Sequence, residues 1–143
     1  RLIAVVLLDT NVLSECMRSA PHASVVAWLD AQPVDQLWIS AVTHAEIELG
    51  IALLPEGRRQ QDLRRRAQAV FEEDFLDRCL PFDDVAARHY GRIVASRMRA
   101  GHPISVEDAQ IASVALSHGL TLATRNVKDF AGIDSLAIIN PWV

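Results

Sequence analysis

Polar residues divide the chain into short apolar runs and longer stretches of helical period. Leu2 to Leu8 is a continuous apolar run that stops at Asp9-Thr10-Asn11. A run of this kind, bounded by polar residues, reads as a strand buried on both faces. A helical pattern begins at once, from Val12 to Met17. Pro21 opens a second helical stretch, Ala23 to Ala31, with Val25, Val26 and Leu29 on one face, and Pro33 stops it. Leu37-Trp38-Ile39 predicts a second strand ending at Ser40. Thr43 to Leu54 is the next helix, and Thr43 followed by Glu46 has the pattern of a capping box. Its apolar positions, Ile47, Leu49, Ile51 and Leu54, fit helical spacing only in part.

Pro55-Glu56-Gly57 breaks that helix. Arg58 to Asp74 is charged and helical, with Leu63, Ala67, Val70 and Phe71 on one face. Cys79 to Phe82 predicts a short strand. Asp83 to Ala100 predicts a long helix, capped by Asp83 or Asp84 and ended by Gly101. Ser105 caps a helix from Val106 to His118, which Gly119 closes. Leu120 to Thr124 is a strand, Arg125 to Phe130 a loop or single helical turn, and Leu136 to Ile139 a last strand. Strands alternating with helices predict an α/β fold, a three-layer α/β/α sandwich on a parallel sheet.

Length and composition narrow the function classes. The 143 residues fit one domain, 1–143, with room for a proper core. The longest apolar run is too short to cross a bilayer and lacks a signal-peptide cleavage site, so no membrane role is expected. Cys16 and Cys79 form neither a disulfide framework nor a CxxC pair, and are expected to be buried thiols in a reducing cytosol. The five histidines never fall at zinc-ligand spacing. A net charge of −4 argues against a general nucleic-acid coat but not against a nuclease built on carboxylates, which would need a local basic patch.

Asp9 follows the first strand, at the end of a parallel sheet where ligands bind. Glu46 and Asp108 resemble it in lying near helix starts, where the helix dipole favours an ionised carboxylate. A group of carboxylates suits a hard cation, Mg²⁺ or Mn²⁺, which prefers oxygen ligands. Taken singly, each acid has an ordinary explanation. Asp9 and Asn11 can simply start a helix, Glu46 can complete a capping box, Asp108 can be a first-turn Asp and Asp129 a surface acid. Spacing alone does not bring them together.

Four ordered motifs change that balance. LLDTNVLSE (7–15), AVTHAEIELG (41–50), SVEDAQIASVA (105–115) and LATRNVKDF (122–130) resemble the motifs of PIN-domain ribonucleases, and the terminal Asn140-Pro141-Trp142 resembles the VapC and FitB toxins of bacterial type II toxin–antitoxin systems. The resemblance spans nearly the whole chain. It implies a PIN-like five-stranded parallel sheet with the first and fourth strands adjacent. It places Asp9, Glu46 and Asp108 on the acidic motif positions, and Thr10 and Asn11 on the polar pair that orders the site. The fourth motif becomes Thr124-Arg125-Asn126 followed by Asp129. Asn126 departs from relatives that carry Asp there, which leaves open whether Asp129 supplies the fourth carboxylate.

The implied function is Mg²⁺- or Mn²⁺-dependent hydrolysis of RNA phosphodiesters by a toxin. Asp9 and Asp108 would bind the ion directly, and Glu46 and Asp129 directly or through water. Arg125 and Lys128 flank Asn126 and are candidates for phosphate contact. Arg58, Arg59, Arg64, Arg65 and Arg66 form either a solvated helix face or an RNA or dimer edge. A homodimer and a cognate antitoxin are the implied partners, the antitoxin expected on the helices before and after Pro55. The alternative is a non-catalytic PIN-like RNA-binding or interaction domain, which the four acids disfavour. An aspartyl-nucleophile phosphatase or a receiver domain lacks its second acid in Asp9-Thr10-Asn11, and the short chain lacks the insertions that would support a DNA flap enzyme.

Overall fold

The computed structural model describes residues 4–143. Strand β1 covers Val6–Leu8, so the Leu2-Ile3 part of the expected first strand lies outside the described residues. Helices α1 (Thr10–Cys16) and α2 (Ala23–Asp30) lead to β2 (Leu37–Ser40). Helices α3 (Ala41–Ala52) and α4 (Arg58–Ala69) lead to β3 (Cys79–Leu80), and α5 (Asp84–Arg99) and α6 (Val106–Ser117) to β4 (Thr121–Ala123). The short α7 (Val127–Phe130) precedes β5 (Ile138–Ile139). The five strands form one parallel sheet in the order β3-β2-β1-β4-β5. The order reverses between β1 and β4, which creates the crevice beyond the strands' carboxyl ends.

Alternation along β1 separates two cores. Val6 and Leu8 face a cluster with Val12, Leu13, Val25 and Ile47, contributed by α1, α2 and α3. Leu7 faces the opposite cluster, with Ile111, Val114, Leu122 and Phe130. Helices therefore cover both faces of the sheet, and a strand buried on both faces must be apolar throughout. The predicted α4 stripe is also observed: Leu63, Ala67, Val70 and Phe71 all pack on the first core. Past Ala69 the helix widens into a π-helical turn, Val70–Asp74.

Three local expectations need correction. Helix α3 starts at Ala41, because β2 runs into it without a loop. Its N-cap is Ser40, whose hydroxyl accepts from the Thr43 N–H, and no capping box forms between Thr43 and Glu46. The buried stripe of α3 is Thr43, Ile47 and Ile51, while Leu49 is exposed, which explains the imperfect spacing of its apolar residues. Cys16 and Cys79 are exposed rather than buried, on the outer side of α1 and on the sheet's edge strand. Among the described residues no helix is long and apolar enough to cross a membrane.

Candidate active site

The β1/β4 junction sets the first carboxylate. The Asp9 N–H donates to the Ala123 carbonyl at 2.9 Å, extending the strand ladder by one residue. The Asp9 side chain then caps α1, accepting from the Thr10 N–H at 2.8 Å. Its other oxygen accepts from the Thr124 hydroxyl at 2.7 Å and from the Asn11 amide at 3.2 Å. Asp9 is 4% exposed and Thr124 is fully buried. The helix-start reading and the site reading of Asp9 are thus both met by one side chain.

A second set of bonds crosses from α1 to α3. The Thr10 hydroxyl donates to a Glu46 carboxylate oxygen at 2.6 Å and shares a 2.9 Å bond with the buried Thr43 hydroxyl. Glu46 is the sixth residue of α3, beyond the turn where the helix dipole acts. The Thr10 hydroxyl, not the dipole, orients this carboxylate. Asp108 does lie in the first turn of α6, as expected, and its N–H donates to the Ser105 hydroxyl at 3.2 Å. Asp129 lies on α7 and is exposed.

The acids feel one another. Burial pushes the Asp9 carboxyl up to about 6 from an ordinary 3.8, against the pull of the Thr124 and Thr10 hydrogen bonds, and the charges of Asp108 and Glu46 push it further. Asp108 is also raised, first by burial and then by the charges of Asp129, Glu46 and Glu107, while its hydrogen bond with Ser105 opposes the rise. Four acids from four different elements therefore share one electrostatic environment. Among the described residues no three His, Cys, Asp or Glu side chains form a group that could hold an ion by themselves. The donor chemistry still suits a hard divalent cation. It offers only carboxylates and hydroxyls, and Mg²⁺ binds through one or two carboxylates while keeping several waters.

The PIN domain family model matches residues 6–136. The chain belongs to the PIN-domain family. It is 40% identical to the VapC ribonuclease Y4jK of Sinorhizobium fredii, over 96% of this chain and 97% of that protein. It is 41% identical to the toxin FitB of Neisseria gonorrhoeae, over 96% of this chain and 98% of that one. Among solved structures, FitAB bound to an IR36 DNA fragment superposes with a TM-score of 0.89 at 40% identity, covering 96% of each chain.

In this PIN domain the remaining motif residues divide. Asn11 bridges, its amide reaching Asp9 and, at 3.4 Å, the Thr124 hydroxyl, and its carbonyl oxygen accepting from the Arg125 N–H at 3.3 Å. The Asn126 N–H donates to the Thr124 hydroxyl at 3.0 Å, but its side chain makes no capping bond to α7. The Arg125 guanidinium lies over the Trp142 ring, 5.2 Å from its centroid, so the terminal motif packs on the fourth one. Lys128 is exposed and lines a groove of about 700 Å³ together with Asp108 and Asp129. Of the arginine run, Arg58, Arg59 and Arg66 border a cavity of about 850 Å³ between α1, α3 and α4, with Arg66 donating to the Met17 carbonyl at 2.8 Å. Arg65 is engaged with Asp62 on its own helix, and Arg64 is exposed.

Sequence reasoning missed Thr43, which joins the Thr10–Glu46 bridge, and Arg97, which braces the Asp129 segment. Thr43 carried a signal: a Thr three residues after a strand-end Ser, in register with Ile47 and Ile51, points inward.

Proposed function

We propose that this chain is a Mg²⁺- or Mn²⁺-dependent endoribonuclease, acting as the toxin of a type II toxin–antitoxin pair. The observation that carries the reading is Asp9, buried at the β1/β4 crevice and held by Thr124, Asn11 and Thr10, with the charges of Glu46 and Asp108 acting on it and that of Asp129 acting on Asp108. Its membership of the PIN-domain family and its likeness to a VapC ribonuclease and the toxin FitB support it.

Asp9 and Asp108 would hold the ion, with Glu46 and Asp129 acting directly or through water. When bound, the ion supplies Lewis-acid activation of a water and stabilisation of charge on the phosphoryl oxygens. The chain's own residues do the positioning. Thr124, Asn11 and the Thr10 N–H hold the Asp9 carboxylate in one orientation. Thr10 holds Glu46, and Thr43 in turn holds the Thr10 hydroxyl. Asp129 rather than Asn126 takes the fourth acidic place, since its charge reaches Asp108 and Asn126 carries none. Arg125 and Lys128 contact the RNA backbone beside the acids.

The partner surfaces follow from the same frame. The 850 Å³ cavity adjoins Thr10 and Glu46, has an apolar floor of Met17, Ile47 and Ile51, and is bounded by the helices on either side of Pro55. It is the place for an antitoxin segment that covers the acids. The exposed Leu49, Leu53, Met98 and Val106 supply apolar surface for a homodimer.

The deciding experiment incubates the purified protein with a mixed RNA substrate, with and without Mg²⁺ or Mn²⁺, beside Asp9→Asn and Asp108→Asn. Cleavage that needs the cation and disappears in both variants supports the reading. An Asp9→Asn variant with normal Mg²⁺-dependent cleavage overturns it.

A further inference from the structure

Asp129 has the weakest local support of the four acids. It sits on a helix of four residues whose N-cap, Asn126, makes no side-chain bond. Its charge and that of Asp108 repel. A short helix leaves its last carbonyls without intrahelical partners, and like charges would drive this segment outward. Phe130 anchors the segment in the core, and backbone bonds from the Asp129 N–H to Asn126 and from the Ala131 N–H to Val127 close its single turn.

Arg97, in the last turn of α5, adds a longer-range constraint. One terminal nitrogen of its guanidinium donates to the Asp129 carbonyl at 2.7 Å and the Ala131 carbonyl at 3.0 Å. The other reaches the His102 carbonyl at 3.4 Å. The clamp grips the peptide on either side of Phe130 and ties it to the connector ahead of α6, the helix that carries Asp108. A planar guanidinium with several fixed donors can do this, whereas an ammonium is a point donor that cannot reproduce the fork.

Resting on the ribonuclease reading, we propose that Arg97 is a positioning residue: it fixes the peptide planes around Asp129 and so holds that carboxylate in range of Asp108. It acts through Asp129, from the wall of the groove it shares with Asp108 and Lys128.

The test compares Arg97→Gln and Arg97→Lys with the wild type, alone and combined with Asp129→Asn. Amide hydrogen exchange across residues 127–131 reads the tether directly and needs no activity. Arg97→Gln is expected to speed exchange there by about tenfold while the central strands stay protected. It should lower kcat for RNA by several-fold, up to about tenfold, with little change in KM, as expected for a small misplacement of a reacting group. Arg97→Lys should recover part of both. In the Asp129→Asn background Arg97→Gln should cause little further loss, because residues acting as one unit are not additive.

Unchanged exchange in Arg97→Gln, or losses that multiply with Asp129→Asn, overturns the proposal. So does faster exchange with normal kcat. If Arg97→Gln does not fold, the exchange of Arg97→Lys decides between a tether and none. A wild type that cleaves no RNA removes the ribonuclease reading, while the exchange result still accepts or rejects the tether.

Discussion

Asp9 and Asp129 both act on or feel the charge of Asp108 but are held in opposite ways. Asp9 is 4% exposed, and its two oxygens are claimed by Thr10, Asn11 and Thr124. Asp129 is exposed on a single helical turn and is steadied only through its backbone. The buried half, with Thr10, Thr43 and Glu46, is prearranged before anything binds. The open half, with Asp108, Asp129 and Lys128, lines a groove open to solvent. The buried acid lies where the sheet switches direction, and the more exposed groups are carried by the helix starts beside it. On the proposed reading, such a site would fix a cation through the first and meet a polymer through the second.

The sharpest way to break this contrast is to neutralise each of the two acids in turn. Asp9→Asn is expected to reduce metal-dependent RNA cleavage by about a thousandfold, equivalent to about 4 kcal/mol of barrier. Asp129→Asn should cost about tenfold, or about 1.4 kcal/mol. Equal losses in single-turnover assays would mean that the two halves do not differ as described.

The pH dependence of stability tests the buried half without any substrate. The folded chain holds the Asp9 proton more tightly than the unfolded chain, since the folded value is about 6 against an ordinary 3.8. Ionising Asp9 therefore costs stability, and the loss accumulates as pH rises through that window, to about 3 kcal/mol in all. Asp108 is raised too and contributes in the same direction. Thermal melts of the metal-free protein should show a midpoint that falls as pH rises from 4 to about 6, with Asp9→Asn flattening the slope. Added Mg²⁺ should restore most stability at the upper end, where the acids are ionised. A midpoint that rises steadily across the window would remove Asp9 as a desolvated acid.

Thr124→Val keeps the shape of a fully buried side chain and deletes the hydroxyl that serves Asp9. It should lower unfolding stability in urea by about 1–3 kcal/mol, through the unpaired groups it leaves. A neutral result would show that Asp9 finds another donor. The smallest effects belong to the open half: Lys128→Ala or Arg125→Ala should each reduce the salt dependence of RNA binding by about one unit of slope. An unchanged slope would place that side chain away from the backbone. Arg125→Ala also frees the Trp142 ring, so its effect should exceed that of Lys128→Ala if the stack aims the guanidinium.

Much of this protein was legible along the chain. Local pattern determined the alternation of strands and helices, the caps at Asp9, Asp83 and Ser105, and the apolar face of α4, because each depends on residues within a few positions of one another. The four motifs marked the candidate acids through a family resemblance and left open whether they meet. The start of α3 was misread because Ser40 ends a strand and caps a helix at once, and a strand-to-helix junction without a loop leaves no punctuation.

What joins the acids was decided only by the tertiary structure. Thr124 meets Asp9 across a separation of 115 residues, because β4 pairs with β1 at the switch of the sheet. Thr10 meets Thr43 and Glu46 because α1 and α3 lie on the same face of the sheet. Arg97 reaches α7 from a helix whose sequence suggests only a basic last turn. Periodicity fixes which way a side chain points from its own element. It cannot fix which distant element that side chain will meet, and in this PIN domain those meetings orient the carboxylates.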